Sequence, residues 1–320
     1  MSPEARTTRA RQVSGASVLV GAALVVAFLT VGAVGDWSFV LSFRGDKLIT
    51  IALVACAVPL STVLFHTMSD NRILTPSIMG FDALFVLIQT AGVFLLGSAR
   101  VAQFDPRLVF AAELGAMTLF SLALYRLLFT RIARSLELLL LVGVICGVLF
   151  RSLAGLLQRL IDPGEFLVLQ DRVFASFSGA SGTDQVWAAM LILGAGVWCR
   201  VRLPALDALM LGRNGAIAVG VDHRRLTFET FVVVTLLVAA STALVGPITF
   251  FGLLVANLAY RVLPGAPHRM IVPLAILFGF ILLAGAQVVL ERLLGFTGTV
   301  GMVVEFVGGI LFILLLIGRR

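Results

Sequence analysis

Residues 226–261 read LTFETFVVVTLLVAASTALVGPITFFGLLVANLAYR, apolar almost throughout and interrupted once, at Gly246-Pro247. One bilayer crossing needs about 20 apolar residues in helical form, and this stretch is too long for one. Proline has no N–H to give to a helix and disfavours helical geometry in the residue before it. The stretch therefore divides into two helices, the second of them short. Working outward, apolar runs recur at about 16–34, 48–66, 78–97, 108–128, 136–158, 185–200, 226–245, 247–261, 271–290 and 300–318. The expectation is an all-α polytopic membrane protein with about ten transmembrane helices. Residues 1–320 form a single domain, with 1–15 as a polar tail and 203–225 as the most basic loop.

Composition agrees with that solvent. Of the 320 residues, 60% are hydrophobic and only 13% are charged, and mean hydropathy is +1.08. Soluble domains carry about 25% charged residues, so a water-soluble fold of this length would lack the polar residues to cover its surface. The net charge of +7 is explained by where the cations fall. With the N-terminus and its Arg6, Arg9 and Arg11 in the cytoplasm, alternate loops hold Arg72; Arg126, Arg131 and Arg134; Arg200, Arg202, Arg213, Arg224 and Arg225; Arg261 and Arg269; and Arg319 and Arg320. The other loops hold the minority: Arg44, Lys47, Arg100, Arg107, Arg151, Arg159, Arg172 and Arg292. Cytoplasmic loops of membrane proteins are enriched in Lys and Arg, so both termini are expected inside. No nucleic-acid partner is needed to account for the charge.

The basic start and first apolar run superficially fit a signal peptide. The run is longer than a usual signal core and ends in no A-x-A-like site, so it reads as a retained first span. Cys56, Cys146 and Cys199 share no motif spacing and read as small packing residues. His66, His223 and His268 are scattered at segment ends, which argues against a metal centre. No G-x-x-x-x-G-K-[ST] phosphate loop is present, since Gly45-Asp46-Lys47 lacks its first glycine and its hydroxyl residue. No catalytic motif appears either, so the chain is expected not to be an enzyme and to carry no cofactor.

Four strings carry a resemblance. Asn71-Arg72-Ile73-Leu74-Thr75-Pro76-Ser77-Ile78-Met79-Gly80-Phe81-Asp82 is similar to the signature after the second span of permeases of the iron-chelate uptake ABC family. Leu209-Met210-Leu211-Gly212-Arg213-Asn214-Gly215-Ala216-Ile217-Ala218-Val219-Gly220 resembles that family's loop between spans six and seven. Gly246-Pro247-Ile248-Thr249-Phe250-Phe251-Gly252-Leu253 matches its G-P-I-x-F-x-G-L string, and Gly308-Gly309-Ile310-Leu311-Phe312 its last span. The family includes the cobalamin importer permease, and the R-I-L-T form resembles the branch that handles catecholate-type siderophores. His66 stands where many relatives carry glutamine.

The resemblance implies a ten-span permease in the cytoplasmic membrane of a bacterium. It would pair with a second permease subunit, the same or a paralogue, around a path for a ferric siderophore. Two separate ATP-binding cassette subunits would hold ATP and Mg, and an extracytoplasmic siderophore-binding protein would deliver the chelate. By the same resemblance Leu209, Gly212, Arg213, Asn214, Gly215 and Gly220 belong to the loop that couples to the ATPase. Arg44, Lys47 and Arg292 fall where relatives receive glutamates of the binding protein, although R-G-D-K replaces R-x-P-R and lysine lacks the bidentate fork. Asn71 and Ile73 fall at the cytoplasmic gate. Gly143, Gly147, Arg151 and Gly155 share one helix face, which either packs closely or, as in relatives, lines the path. Arg151, about 22 Å along a helix starting near residue 136, reads as lying close to the outer boundary. Glu113, Glu137 and Glu305 lie in or beside spans, where acids are functional candidates, and none is given a role. An ion-coupled secondary transporter is the rival, and it would show inverted repeats and paired mid-membrane charges. Neither is evident in the sequence.

Overall fold

The computed structural model describes residues 3–32, 36–127, 136–180, 182–295 and 298–317, and among these no strand occurs. The helices are α1 (Pro3–Thr30), α2 (Trp37–Ser69), α3 (Phe81–Leu96), α4 (Ser98–Val101), α5 (Pro106–Leu127), α6 (Leu136–Leu160), α7 (Pro163–Val173), α8 (Gly182–Leu209), α9 (Gly212–Ala218), α10 (His223–Val245), α11 (Phe251–Val262), α12 (His268–Arg292) and α13 (Val300–Ile317). A 3-10 turn, Pro76–Met79, leads into α3. Seven of these, α1, α2, α5, α6, α8, α10 and α12, are long and apolar enough to cross a membrane, while α3, α11 and α13 are apolar but shorter. Leu19, Leu141, Leu193 and Val197 are among many exposed aliphatic side chains, the surface a bilayer covers.

Three boundaries differ from the sequence reading, and a further helix is present. Helix α2 starts at Trp37 and not near residue 48, its N-cap Asp36 accepting from Ser38 N at 3.0 Å. Helix α1 begins at Pro3 and runs through the expected tail, because nothing between Pro3 and Gly15 breaks a helix and proline is tolerated in the first turn. Helix α8 carries Pro204 inside it and continues to Leu209, so the irregular part of the 203–225 loop shrinks to the turns around α9. Helix α7 was not expected. It is capped by Asp162, whose Oδ1 accepts from Gly164 N at 2.8 Å, and its Leu169 packs with Val93 of α3 and Ile161.

The direction of the long helices follows from two ends. At one, Ala10 and Val13 of α1 pack with Val63 of α2, Leu263 after α11 and Ile271 of α12. Tyr125, near the end of α5, meets Phe228 and Phe231 at the start of α10, each at 5.0 Å between ring centroids. Arg72, Arg126, Arg224, Arg225 and Arg269 gather at this end, which we call the arginine-rich end. At the opposite end the Arg44 guanidinium donates to the carbonyls of Phe28, Leu29, Val31 and Gly32 at 2.7–3.2 Å. Those are orphan acceptors of the last turn of α1, so Arg44 closes that helix.

Nearby, Lys47 Nζ lies 3.0 Å from Glu291 Oε1, with the two side chains only 4% and 6% exposed. Gln287 donates to the same carboxylate at 2.7 Å. The pair joins the start of α2 to the end of α12, which run antiparallel.

The short helices α3 and α11 each follow irregular backbone. In apolar surroundings such backbone survives only where protein satisfies it. At the break after α10, Ser176 N donates to Val245 O at 2.9 Å, and Gly246 adopts φ +89 against the backbone of Ala175. Phe250 takes the left-handed φ of +56 before α11 starts. A Cβ on Gly252 would lie 2.1 Å from Thr62 Oγ1, so the glycine lets α11 lie directly on α2. Before α3, Asn71 Oδ1 accepts from Ile73 N at 2.9 Å and Asn257 Nδ2 donates to Arg72 O at 3.1 Å. The Arg72 guanidinium sits 4.6 Å over the Tyr260 ring. Helix α11 thus holds the loop that leads to α3.

Gly80, at φ +89, closes that loop against α6: an added Cβ would meet Gly143 O and the backbone of Gly147 at 3.1 Å. Gly143 is likewise hard against Met79, 2.9 Å from Cα to its would-be Cβ. Gly143 and Gly147 are therefore a packing seam for the 3-10 turn. The path-lining role expected of them is corrected for Gly143, which is buried beneath Met79.

Two consequences are measurable. Gly80→Ala is expected to lower stability in detergent by about 1–3 kcal/mol through backbone strain and overpacking. Gly285→Ala, inside α12 with open space around it, should keep the melting midpoint or raise it, adding up to about 1 kcal/mol of stability; equal melting of the two variants would show that the seam is loose. Lys47→Met strands Glu291 without its cation and should cost about 3–5 kcal/mol. Adding Glu291→Gln should recover most of that loss, and simple additivity of the two losses would mean that the residues are not coupled.

Candidate functional site

The chain concentrates its unusual polar groups at three depths. In the middle, a cavity of about 300 Å³ is lined by Asp82, Arg151, Thr249 and Glu305, with Phe174, Pro247 and Met302 as apolar wall. A second cavity, about 350 Å³, adjoins it across α6 and is lined by Ile78, Gly147, Val148 and again Arg151. Arg151 borders both. Helix α6 continues nine residues past it to Leu160, about 13 Å at 1.5 Å per residue. Arg151 thus lies in the second half of α6, about 22 Å from its start, where it borders both cavities. Glu305 accepts a hydrogen bond from Thr249 Oγ1, which fixes it to the Gly246–Phe250 break. None of the ion pairs within 4 Å among the described residues includes Arg151.

Asp82 was missed from sequence. It stands in the first turn of α3, where the helix dipole favours a carboxylate, and its meaning comes from Arg151 and Glu305, remote in the chain. Glu113 lies elsewhere: it is 4% exposed and accepts from Gln89 Nε2 at 2.7 Å, an internal tie between α5 and α3. The side chain of Glu137 lies outside the described residues, as do Arg131, Arg134, Arg319 and Arg320. One cation and two acids therefore face the cavity within apolar walls.

At the arginine-rich end the turn after α2 presents Asn71 and Ile73, the latter 71% exposed. Its backbone is held from α11 as described, so an apolar side chain projects from a braced turn.

Beside it stands α9, isolated by turns at Gly212 (φ +76) and Gly220 (φ +86). Both conformations favour glycine, which is why the sequence is punctuated there. Ala216 is buried, and its carbonyl accepts from Val221 N at 3.0 Å. Leu211, Ile217 and Val219 are exposed, with Arg213 and Asn214 alongside. Leu209 is buried, so it anchors the turn from below; the expectation that it forms part of the contact surface is corrected. Glu229 of α10 braces the flanks, pairing with Arg202 of α8 and Arg225 of α10 at 2.9 Å each.

At the opposite end the three expected rim cations divide. Lys47 is an internal cation neutralised by Glu291, and Arg44 is half-buried with its donors committed to the carbonyls ending α1, so its positive charge stays at the rim while its hydrogen bonds point inward. The reason is that both sit on the turns of α2 that face α12 and α1. Arg292 is exposed, its guanidinium passing over Gly32, where an added Cβ would lie 2.3 Å from Nη1. Cys56 and Cys146 are half-buried, Cys199 is buried, and all three are free. No group of His, Cys, Asp and Glu able to hold a metal occurs among the described residues.

This geometry has relatives. A petrobactin import system permease protein of Bacillus subtilis (strain 168) is 41% identical over 305 residues, covering 94% of this chain and 96% of the relative. One from Bacillus anthracis is 34% identical over 272 residues, covering 84% and 77%. A vitamin B12 import system permease protein of Vibrio parahaemolyticus is 28% identical over 287 residues, covering 88% and 83%. Among solved structures, an inward-facing metal-chelate type ABC transporter superposes with a TM-score of 0.82 at 22% identity, over 96% of this chain and 99% of the other. That last likeness concerns the fold. The FecCD transport family matches residues 10–318, and the chain belongs to that family.

Proposed function

We propose that the chain is the membrane-spanning permease subunit of an ATP-driven importer of ferric siderophores, with a catecholate-type chelate as cargo. The observation that carries this reading is the 41% identity, over nearly the whole of both chains, to a permease named for petrobactin import. In this reading all ten apolar helices cross the cytoplasmic membrane and the arginine-rich end faces the cytoplasm, in keeping with the positive-inside bias. The short helices α3 and α11 cross together with the irregular backbone that precedes them. A second permease subunit, the same or a paralogue, completes the path.

Each tier then has a task. The exposed apolar and basic face of α9 offers an ATPase subunit both packing area and orienting charge. Arg213, Asn214 and Gly215 lie on that helix, and Gly212 and Gly220 set its turns. Ile73 and Asn71 form the cytoplasmic constriction, since an apolar side chain in a narrow passage excludes hydrated solutes. Arg151 meets the anionic chelate at mid-depth, with Gly147 beside it. Asp82 and Glu305 keep that contact weak enough to release, as conduction requires. Arg292 is the exposed rim cation that guides the binding protein, because exposed rim charges act mainly on encounter rate.

The cluster of Asp82, Arg151 and Glu305 also fits an ion-coupled carrier, the one rival that a specific observation favours. Membership in the FecCD transport family weighs against it.

Chelate-by-chelate uptake in a deletion strain decides between them. Loss of ferric catecholate uptake, restored by the wild-type gene, is expected; uptake should stop on ATP depletion and survive a protonophore, and the reverse pattern would support the carrier. Arg151→Glu should insert normally and lower uptake by about tenfold, roughly 1.4 kcal/mol in the barrier. Wild-type uptake by that variant would remove Arg151 from the path.

Docking has a separate readout. Arg292→Glu should slow association of the binding protein with reconstituted transporter at low salt, and the deficit should shrink as salt screens exposed charges. An unchanged rate at low salt would leave Arg292 a helix-end anchor.

A further inference from the structure

Three helix ends meet at the arginine-rich end around one buried imidazole. His268, the first residue of α12, is 2% exposed. Its Nδ1 is 2.6 Å from Asp207 Oδ1, and its backbone N donates to the same oxygen at 2.8 Å. Its Nε2 is 2.6 Å from Thr67 Oγ1, and the Thr67 hydroxyl also donates to Val63 O at 2.9 Å. The ring is therefore held at both edges, by α8 on one side and by α2 on the other.

The positions of the two outer members matter. Asp207 lies in the last turn of α8, and only Met210 and Leu211 separate that helix from α9. Thr67 lies in the last turn of α2, immediately before the turn bearing Asn71 and Ile73. A cavity of about 80 Å³ adjoins the ring, and its wall includes Met210 from the α9 side and Arg72 from the gate side. The two turns thus face each other across a small space, and the Asp207–His268–Thr67 chain of short hydrogen bonds crosses beside it. Interiors are close-packed and transmit displacement, whereas this gap leaves room for the turns to move relative to one another.

We propose that Asp207, His268 and Thr67 are positioning residues that carry movement of α9 to the Asn71–Ile73 turn, so that the state of the ATPase sets the gate. The proposal rests on the importer reading above. In it Asp207 moves with α8 and α9, His268 passes the shift to α2 through Thr67, and Ile73 follows. A clamp that merely stabilised the fold would hold the same three groups together but would not link gate to nucleotide.

The test uses the whole transporter in inside-out vesicles: this chain, its ATPase subunits and the binding protein. Ile73→Cys serves as reporter, read by its labelling rate with a membrane-impermeant maleimide, in ADP and in ATP with vanadate. In otherwise wild-type protein the rate should differ between the two states. Thr67→Val, which keeps the shape and removes the hydroxyl, should shrink that difference about fivefold or more while the ATPase still co-purifies and hydrolyses ATP. Thr67→Ser should restore it to within about twofold. If Thr67→Val assembles poorly, Asp207→Asn provides the same comparison with a weakened bond on the α8 side. A Thr67→Val or Asp207→Asn reporter that responds to nucleotide as fully as the wild type would overturn the relay. A wild-type reporter indifferent to nucleotide, with the ATPase bound, would instead sink the importer reading on which the relay stands.

Discussion

Backbone that leaves the helix inside apolar surroundings must have its N–H and C=O groups met by protein, and most of this structure is arranged around two places where that happens. Between Gly246 and Phe250, the support comes from the 173–176 segment and from direct contact of Gly252 with α2. Between Asn71 and Gly80, it comes from Asn257, Tyr260 and the glycine seam of α6. Each break needs residues without side chains beside it, because backbone is packing on backbone. The glycine positions that read as family motifs in the sequence are, physically, the points of closest approach. The breaks also create the site: Asp82 heads the helix after one of them, and Glu305 is tied to the other through Thr249.

What was legible in the sequence follows the range of the interactions involved. The apolar runs and the Gly246-Pro247 break are local signals, and each run has a helix over most of it, with ends that differ at α1, α2 and α8. Lys47 was misread because its partner Glu291 lies 244 positions away, and no local pattern distinguishes a rim cation from a buried one. Arg44 was misread for the same reason, its acceptors belonging to another helix. Helix α7 escaped because it is short and only partly apolar, so it gives no span signal. Asp82 needed the fold to bring Arg151 and Glu305 beside it.

The charges sort by depth into groups with different physics. Those in the buried pair Lys47–Glu291 are withdrawn from water and neutralise each other, so they fix the register of α2 on α12 and contribute little to long-range field. Those around α9 are solvated and braced in a chain, Arg202–Glu229–Arg225, which stiffens the flanks of α9 without covering its exposed face. The mid-depth group is different again. Arg151 stands with Asp82 and Glu305 along an open cavity. Two carboxylates beside it leave no net positive charge there, so Arg151 is a directed donor and not the centre of a positive field.

Rigidity is distributed accordingly. Where α8 turns into α9, Leu209 and Ala216 are buried and Glu229 braces both neighbouring helices, so a push on the exposed face of α9 cannot be absorbed by bending α9 alone. It must be passed to α8. The end of α8 touches α12 through a carboxylate that accepts twice from one residue, the backbone N–H and the ring of His268. Two donors of one residue meeting one oxygen fix the His268 ring against its own backbone and hold the start of α12 to Asp207. The ring then bears on the last turn of α2, which is packed along its length against α10 and α12 and yields least at its buried middle. The end of that helix leads into the Asn71–Ile73 turn, which is held by Ser69 of α2 and by Asn257 of α11. In the relay proposed above, displacement entering at α9 leaves at the Asn71–Ile73 turn, where the Ile73 side chain is exposed.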